Sequence, residues 1–212
     1  MVKLSAPTSF AITKAILQNP VTSQLDIARK TNVSTSMVSY LVRDLVAKGI
    51  ISQFGKEKLR LEEPLTLLEA LAFQRPLYKL IEEEFRTEES NIGLVEKQIE
   101  ITSKNLEARY ALTCFSALTK YIQYYITYPT VHLYSDKPKD LKQNIIEGRG
   151  AVNVQVLKPD SRTIFQDAST KNNVWIVDPI QTVIDLFSLG GVGRDGAMKL
   201  YKETTNVNSI SH

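Results

Sequence analysis

Apolar residues in the first third of the chain recur every three to four positions, then switch to every second position. Ser9 to Gln18 carries Phe10, Ile12, Ala15, Ile16 and Leu17 on helical spacing, and Asn19-Pro20 ends the run. Thr22 to Thr31 predicts a second amphipathic helix with Ser23 as its cap, and Asn32-Val33-Ser34 links it to a third. Thr35 to Lys48 places Val38, Leu41, Val42 and Leu45 at i, i+3, i+4 and i+7, one face of a helix. Gly49 stops that helix, since glycine takes the left-handed C′ conformation without a Cβ penalty. Ile50 to Phe54 and Lys58 to Glu62 then read as two strands around a Gly55-Lys56-Glu57 turn. Helix, turn, helix and hairpin in this order predict a winged helix-turn-helix, a unit that inserts one helix into a DNA groove.

The positions that this pattern turns outward carry the relevant chemistry. On the third helix they are Ser34, Thr35, Ser36, Ser39, Tyr40 and Arg43, with no acidic residue before Asp44. Small hydroxyls allow close approach to a groove floor and can bond bases or phosphates, while an arginine can pair bidentately with guanine. The hairpin adds Lys56, Lys58 and Arg60, the last two alternating with Leu59 and Leu61 as on a strand with one wet face. These nine residues are the candidate double-stranded-DNA contacts. The competing interpretation is a solvated polar face whose hydroxyls only cap the helix.

Beyond the hairpin, Leu65 to Phe73 is apolar almost all round and requires burial against the head or a second copy of the chain. Arg75-Pro76 interrupts it. Leu77 to Arg86 reads as an amphipathic helix with Glu82, Glu83 and Glu84 on its acidic face, and both segments are candidates for a homodimer surface. Thr87 to Asn91 reads as a linker, and residues 92–107 show no assignable period. Further on, Ala111 to Ile122 is helix-like, Tyr124 to Tyr128 and Val131 to Tyr134 strand-like, and Lys139 to Glu147 a short helix. Ala151 to Leu157, Ile164-Phe165 and Val174 to Val177 read as strands. Asp178-Pro179-Ile180-Gln181 opens a helix with an Asp cap, Pro at N1 and Gln at N3, ended by Gly190. The expected fold is α+β: a winged helix-turn-helix over 1–74, a helical linker over 75–108, and a small mixed α/β domain over 109–212.

Charge supports a division of labour. Residues 1–63 hold nine Lys/Arg against five Asp/Glu, residues 64–108 five against nine, and residues 109–212 twelve against nine. A basic head followed by an acidic stretch suits a protein that meets phosphates with its first part. The 212 residues suffice for one or two domains, and a hydrophobic content of 43% excludes an extended disordered chain. No apolar run is long enough for a membrane span, and the first residues lack a signal-peptide core, so a cytoplasmic location is expected. Cys114 is the single cysteine, with His132 and His212 the only histidines, which makes disulfides and a metal site unexpected.

No catalytic set assembles, and no cofactor is expected. Gly190 to Gly196 is glycine-rich but follows a helix and lacks a Lys-Ser/Thr ending, so it reads as a helix–helix connector. Asp160 and Asp167 lack the lysine of a nuclease motif. Asp178 and Asp185 can share a helix face, but capping accounts for Asp178, and His132 has no partner nucleophile in sequence. Tyr121, Tyr124, Tyr125 and Tyr128 beside Lys120 read as packing residues rather than a base-stacking platform.

Two segments of the second half, Arg109 to Leu118 and Val177 to Leu186, with Gly193-Arg194-Asp195-Gly196-Ala197 after them, resemble the AbiEi-type antitoxins of type IV toxin–antitoxin systems and related winged-helix regulators. In that family a small residue, often Gly, stands where this chain has Cys114. The resemblance implies an N-terminal winged helix joined to an α/β domain. It also implies repression of an antitoxin–toxin operon and a separate nucleotidyltransferase-like toxin as a functional partner. Two alternatives belong to other classes. One is an interaction module whose winged helix binds protein, and the other is a nucleotidyltransferase-like enzyme, against which the missing Gly-Ser and paired-Asp strand signature counts.

Overall fold

The computed structural model describes residues 2–55 and 57–210, with side chains described as far as Thr205. Lys56, one of the expected DNA contacts, and His212 lie outside the described residues. The chain divides into two compact units, residues 1–75 with 201–212 and residues 76–200.

The first unit contains α1 (Pro7–Gln18), β1 (Val21–Ser23), α2 (Gln24–Thr31), α3 (Thr35–Ala47), β2 (Ile51–Phe54), β3 (Lys58–Leu61) and α4 (Pro64–Gln74). Helices and hairpin fall where the apolar periods put them. The buried side of α3 is Val38, Leu41, Val42 and Leu45, and Ile27 on α2 and Leu59 and Leu61 on β3 are also buried. Ser23 Oγ accepts the Asp26 amide at 3.1 Å and thereby caps α2. Gly49 has φ +70°, the left-handed C′ position that its place in the sequence requires. One strand was not anticipated. Thr22, expected to start the second helix, lies instead with Val21 and the capping Ser23 in a strand that pairs antiparallel with β3, giving a three-stranded sheet of order β1-β3-β2. Pro20 ends α1 and the Ser23 cap begins α2, so the three residues between them are free to extend.

The second unit opens with a 3₁₀ turn (Leu77–Leu80) and continues through β4 (Ile81–Arg86), α5 (Ile92–Asn105), β5 (Tyr110–Thr113), α6 (Cys114–Tyr121), β6 (Thr130–Ser135), α7 (Pro138–Asn144), β7 (Asn153–Leu157), α8 (Thr163–Gln166), β8 (Ser169–Lys171), β9 (Val174–Ile176) and α9 (Pro179–Leu189), with α10 (Gly191–Ile210) after it. Its six strands form one mixed sheet in the order β4-β7-β6-β5-β9-β8. One face packs Leu112, Leu133, Val154, Val156 and Ile176 against Val95 and Ile99 of α5 and Leu141 of α7. The chain is thus an N-terminal winged helix-turn-helix followed by a mixed helix-and-sheet unit.

Several local expectations are corrected. Residues 77–86 are not an amphipathic helix: Ile81 to Arg86 is the edge strand β4, paired with β7. Its acidic residues are held by neighbours that a helix would not have met. Glu83 lies 3.2 Å from Lys142 Nζ, Glu82 lies 3.3 Å from Lys158 Nζ, and Glu84 accepts from Asn153 and Gln155. Charged residues on an edge strand also discourage pairing with another chain. Residues 75–108 therefore supply a strand to the sheet as well as α5, the helix that residues 92–107 left unassigned. The Ala111–Ile122 helix begins only at Cys114, because Tyr110 to Thr113 is claimed as a strand by β6 and β9. Ile164-Phe165 belongs to the single turn α8 rather than to a strand. Residues 124–128 are irregular; Tyr128 stacks on Phe115 at 5.5 Å, and the Tyr121 hydroxyl donates to the Val177 carbonyl at 2.7 Å.

The opposite face of the sheet carries a buried polar joint. The Asp185 carboxyl on α9 accepts from Thr113 Oγ1 at 2.7 Å, from the Tyr134 hydroxyl at 2.9 and 3.0 Å, and from Gln181 Nε2 at 3.0 Å. Asp185, Thr113, Tyr134 and Gln181 are all buried. Both oxygens are thus satisfied, as a buried carboxyl group demands. Cys114, next to this joint, is buried at φ +54°, a conformation that favours glycine.

Candidate nucleic-acid interface

The interface is built by helix periodicity. Ser36, Ser39, Tyr40 and Arg43 lie three to four residues apart, so they share the side of α3 opposite its core stripe. Ser36, Tyr40 and Arg43 are exposed and Ser39 is half-buried. Tyr40 is 55% exposed and Met37 beside it 43% exposed, so an apolar and a phenolic side chain stand in water within a hydroxyl-rich surface. Such residues suit thymine methyls and base edges. Thr35 is exposed at the first turn. Ser34 has a local duty, since its Oγ accepts the Met37 amide at 3.4 Å and lies 3.1 Å from Ser36 Oγ.

On the wing, Lys58 and Arg60 point outward from β3 while Leu59 and Leu61 are buried. The Arg60 guanidinium lies 4.8 Å above the Phe54 ring on the paired strand, which orients it without neutralising it. A cleft of about 420 Å³ joins the two parts, lined by Gln24, Leu25, Thr35, Gln53 and Lys58 among others. It brings the first turns of α2 and α3 and a wing cation to one concavity, where helix amide ends and an ammonium favour an anion.

Most acidic groups of the head are engaged locally. Asp26 accepts from Ser23 Oγ at 2.6 Å, Asp44 pairs with Lys48, and Glu62 accepts from Ser52 Oγ at 2.5 Å. Glu57 stands at the mouth of the cleft. Of these, only Asp44 is neutralised by a cation among the described residues, so the outward cations Arg43, Lys58 and Arg60 share this unit's surface with the charges of Asp26, Glu57 and Glu62. Gln24, Leu25 and Gln53 in the cleft and Met37 on the exposed side of α3 were not among the expected residues. Met37 was legible in principle, as an apolar residue lying off the Val38–Leu41–Val42–Leu45 stripe.

The second unit brings together none of the acidic candidates as a reactive set. Asp178 Oδ1 accepts the Ile180 and Gln181 amides, both at 3.1 Å, and so caps α9. Gly190 and Gly191, at φ +70° and +44°, turn the chain from α9 into α10. His132 is buried on β6, and burial pushes its pKa down to about 4 against a hydrogen bond to Gln155 and the charge of Glu84. Among the described residues no group of three or more His, Cys, Asp or Glu is placed to hold a metal ion, and no helix is long and apolar enough to cross a membrane.

No curated protein and no solved structure matches the chain. Residues 6–52, from the cap of α1 into β2, match the family described as winged helix-turn-helix DNA-binding. With β3 completing the hairpin and its basic side chains turned outward, the first unit is a winged helix-turn-helix of the DNA-binding kind.

Proposed function

We propose that this protein is a sequence-specific double-stranded-DNA-binding transcriptional repressor that acts as a homodimer in the cytoplasm. The observation that carries this reading is the outward chemistry of the winged helix: Tyr40 and Arg43 are exposed on α3, Lys58 and Arg60 are exposed on the wing, and Thr35 and Lys58 meet in one cleft. Phosphates would engage Lys58, Arg60 and the amide ends, while Arg43, Ser36 and Tyr40 would read base edges. Dimerisation supplies two half-sites, and the exposed Leu65 and Phe73 of α4 offer apolar area for it.

On the resemblance of its second half, we further propose that the repressed operon encodes a type IV toxin–antitoxin pair and that this chain is the antitoxin. The support is that the two resembling segments meet in one buried joint, Thr113 with Asp185. The second unit is taken as non-catalytic, since Asp178 and Asp185 are spent on capping and on the joint. The test is selection of bound sequences from random duplexes, followed by titration of wild type and Arg43→Ala on the selected site and on random DNA. Arg43→Ala should lose about 1–3 kcal/mol on the selected site and little on random DNA. Failure to enrich any sequence would overturn the repressor reading.

A further inference from the structure

The sheet unit contains a second concavity that the DNA-facing surface does not use. A half-open cleft of about 520 Å³ lies between the end of α5, the start of β5, α8 and β9. Small-molecule sites commonly span about 300–1,000 Å³ and combine an apolar wall with a few oriented polar groups. Tyr110, Phe165 and Trp175 contribute three aromatic residues to the wall, and Lys104, Arg109 and Glu100 contribute charge.

The polar groups are oriented in advance. Asp136 grips Arg109 twice, accepting its amide at 2.9 Å and its Nε at 2.8 Å, and the guanidinium lies 5.0 Å above the Phe165 ring. Only Nε of the guanidinium is engaged by Asp136, so the fork keeps donors for a ligand. The Tyr110 hydroxyl accepts the Trp175 amide at 3.2 Å, so its own proton is available to a ligand acceptor. Burial raises the Tyr110 pKa to about 12, which keeps that proton in place at neutral pH. Lys104 and Arg109 stand against Glu100, and Arg109 shares its charge with Asp136, so the cleft is near neutral overall and Lys104 is its cation without an ion pair among the described residues. Such a site can take a single negative charge but is poorly matched to a phosphate dianion.

We infer that this cleft binds a small planar aromatic monocarboxylate, with the ring against the Tyr110–Phe165–Trp175 wall and the carboxylate between Lys104 and Arg109. Trp175 is the only tryptophan of the chain, so its emission reports on this cleft alone. The experiment is a fluorescence titration of the full-length protein with benzoate as probe. Benzamide serves as the uncharged control, cyclohexanecarboxylate as the non-planar control and AMP as the phosphate-bearing one. Saturation by benzoate at millimolar or tighter affinity is expected, weakened about tenfold in Lys104→Gln and for benzamide, as loss of one charge-assisted contact implies. Phe165→Leu, which preserves bulk in α8, should weaken benzoate severalfold and abolish its preference over cyclohexanecarboxylate. Absence of saturation, equal affinity for benzamide, tighter binding of AMP, or unchanged affinity in both variants with wild-type melting curves would each overturn the assignment. The titration contains no DNA, so its failure is distinct from failure of operator selection.

Discussion

His132 offers a direct test of how the sheet is held together. It sits at the centre of a row that crosses four strands, Glu84 on β4, Gln155 on β7, His132 on β6 and Thr113 on β5. The imidazole is 6% exposed, and its Nδ1 is buried without a hydrogen-bond partner among the described residues. Burial therefore outweighs the favourable Gln155 and Glu84 interactions and lowers its pKa from 6.5 to about 4. An unfolded chain binds the proton near pH 6.5, whereas the folded one resists it until about 4. Between these values the unfolded state carries the extra proton, so stability falls as the pH falls. Above the upper value His132 adds no slope, and below the lower one the loss is complete. At about 1.4 kcal/mol per pH unit, the interval is worth about 3 kcal/mol as an order of magnitude. Glu84, held below the usual carboxylate range by Gln155 and Asn153, acts in the same direction at lower pH. The assay is urea unfolding followed by Trp175, which reports on the same sheet, at several pH values from about 7 to about 4 for wild type and His132→Phe. The variant cannot titrate, so its stability should decline less steeply through the window, whatever its stability at neutral pH. Parallel curves for the two proteins would refute the claim that His132 is folded in its neutral form.

Two further outcomes follow from the polar joint and the wing. Asp185→Ala leaves the donors of Thr113, Tyr134 and Gln181 buried and unmatched, which should cost about 3–5 kcal/mol, against about 1–2 kcal/mol for Tyr134→Phe; a loss under about 1 kcal/mol in urea unfolding of Asp185→Ala would show the joint to be dispensable. Lys58→Ala with Arg60→Ala should lower affinity on every DNA sequence and make the slope of log K against log salt shallower by up to about 0.9 per lost contact, and an unchanged slope in the folded double variant would remove the wing from the interface.

The head was legible because its signals are local. Ser23 and Ser34 cap the helices that follow them, Gly49 takes the left-handed conformation, and the period change at Ile50 marks the wing. What escaped were elements defined by distant partners. Val21–Ser23 is a strand only because β3 lies beside it, and Ile81–Arg86 only because β7, some seventy residues later, offers Asn153 and Gln155 to its acids. Tyr110 to Thr113 carries no period of its own, being buried at all four positions between β6 and β9. The interface was readable to the same extent. Outward side chains on a helix follow from spacing, but the cleft at Gln24, Thr35 and Gln53 requires the closed arrangement of α2, α3 and wing.

The residues behind the family resemblance acquire a physical meaning from this arrangement. Thr113 closes the Tyr110–Thr113 segment and Asp185 lies in the Asp178–Leu186 segment, and the hydrogen bond between them fixes α9 across the end of β5. Gln181, from the same helix, and Tyr134, from the neighbouring strand, complete the carboxyl's shell. A carboxyl group enclosed by four donor contacts and shut away from solvent holds the geometry of the joint. The left-handed Cys114 belongs to the same construction, because α6 must turn away at the strand end where α9 is pinned. The exposed groups on which the proposals rest are Arg43, Lys58 and Arg60 on the head, and Lys104 and Arg109 at the aromatic cleft of the sheet unit.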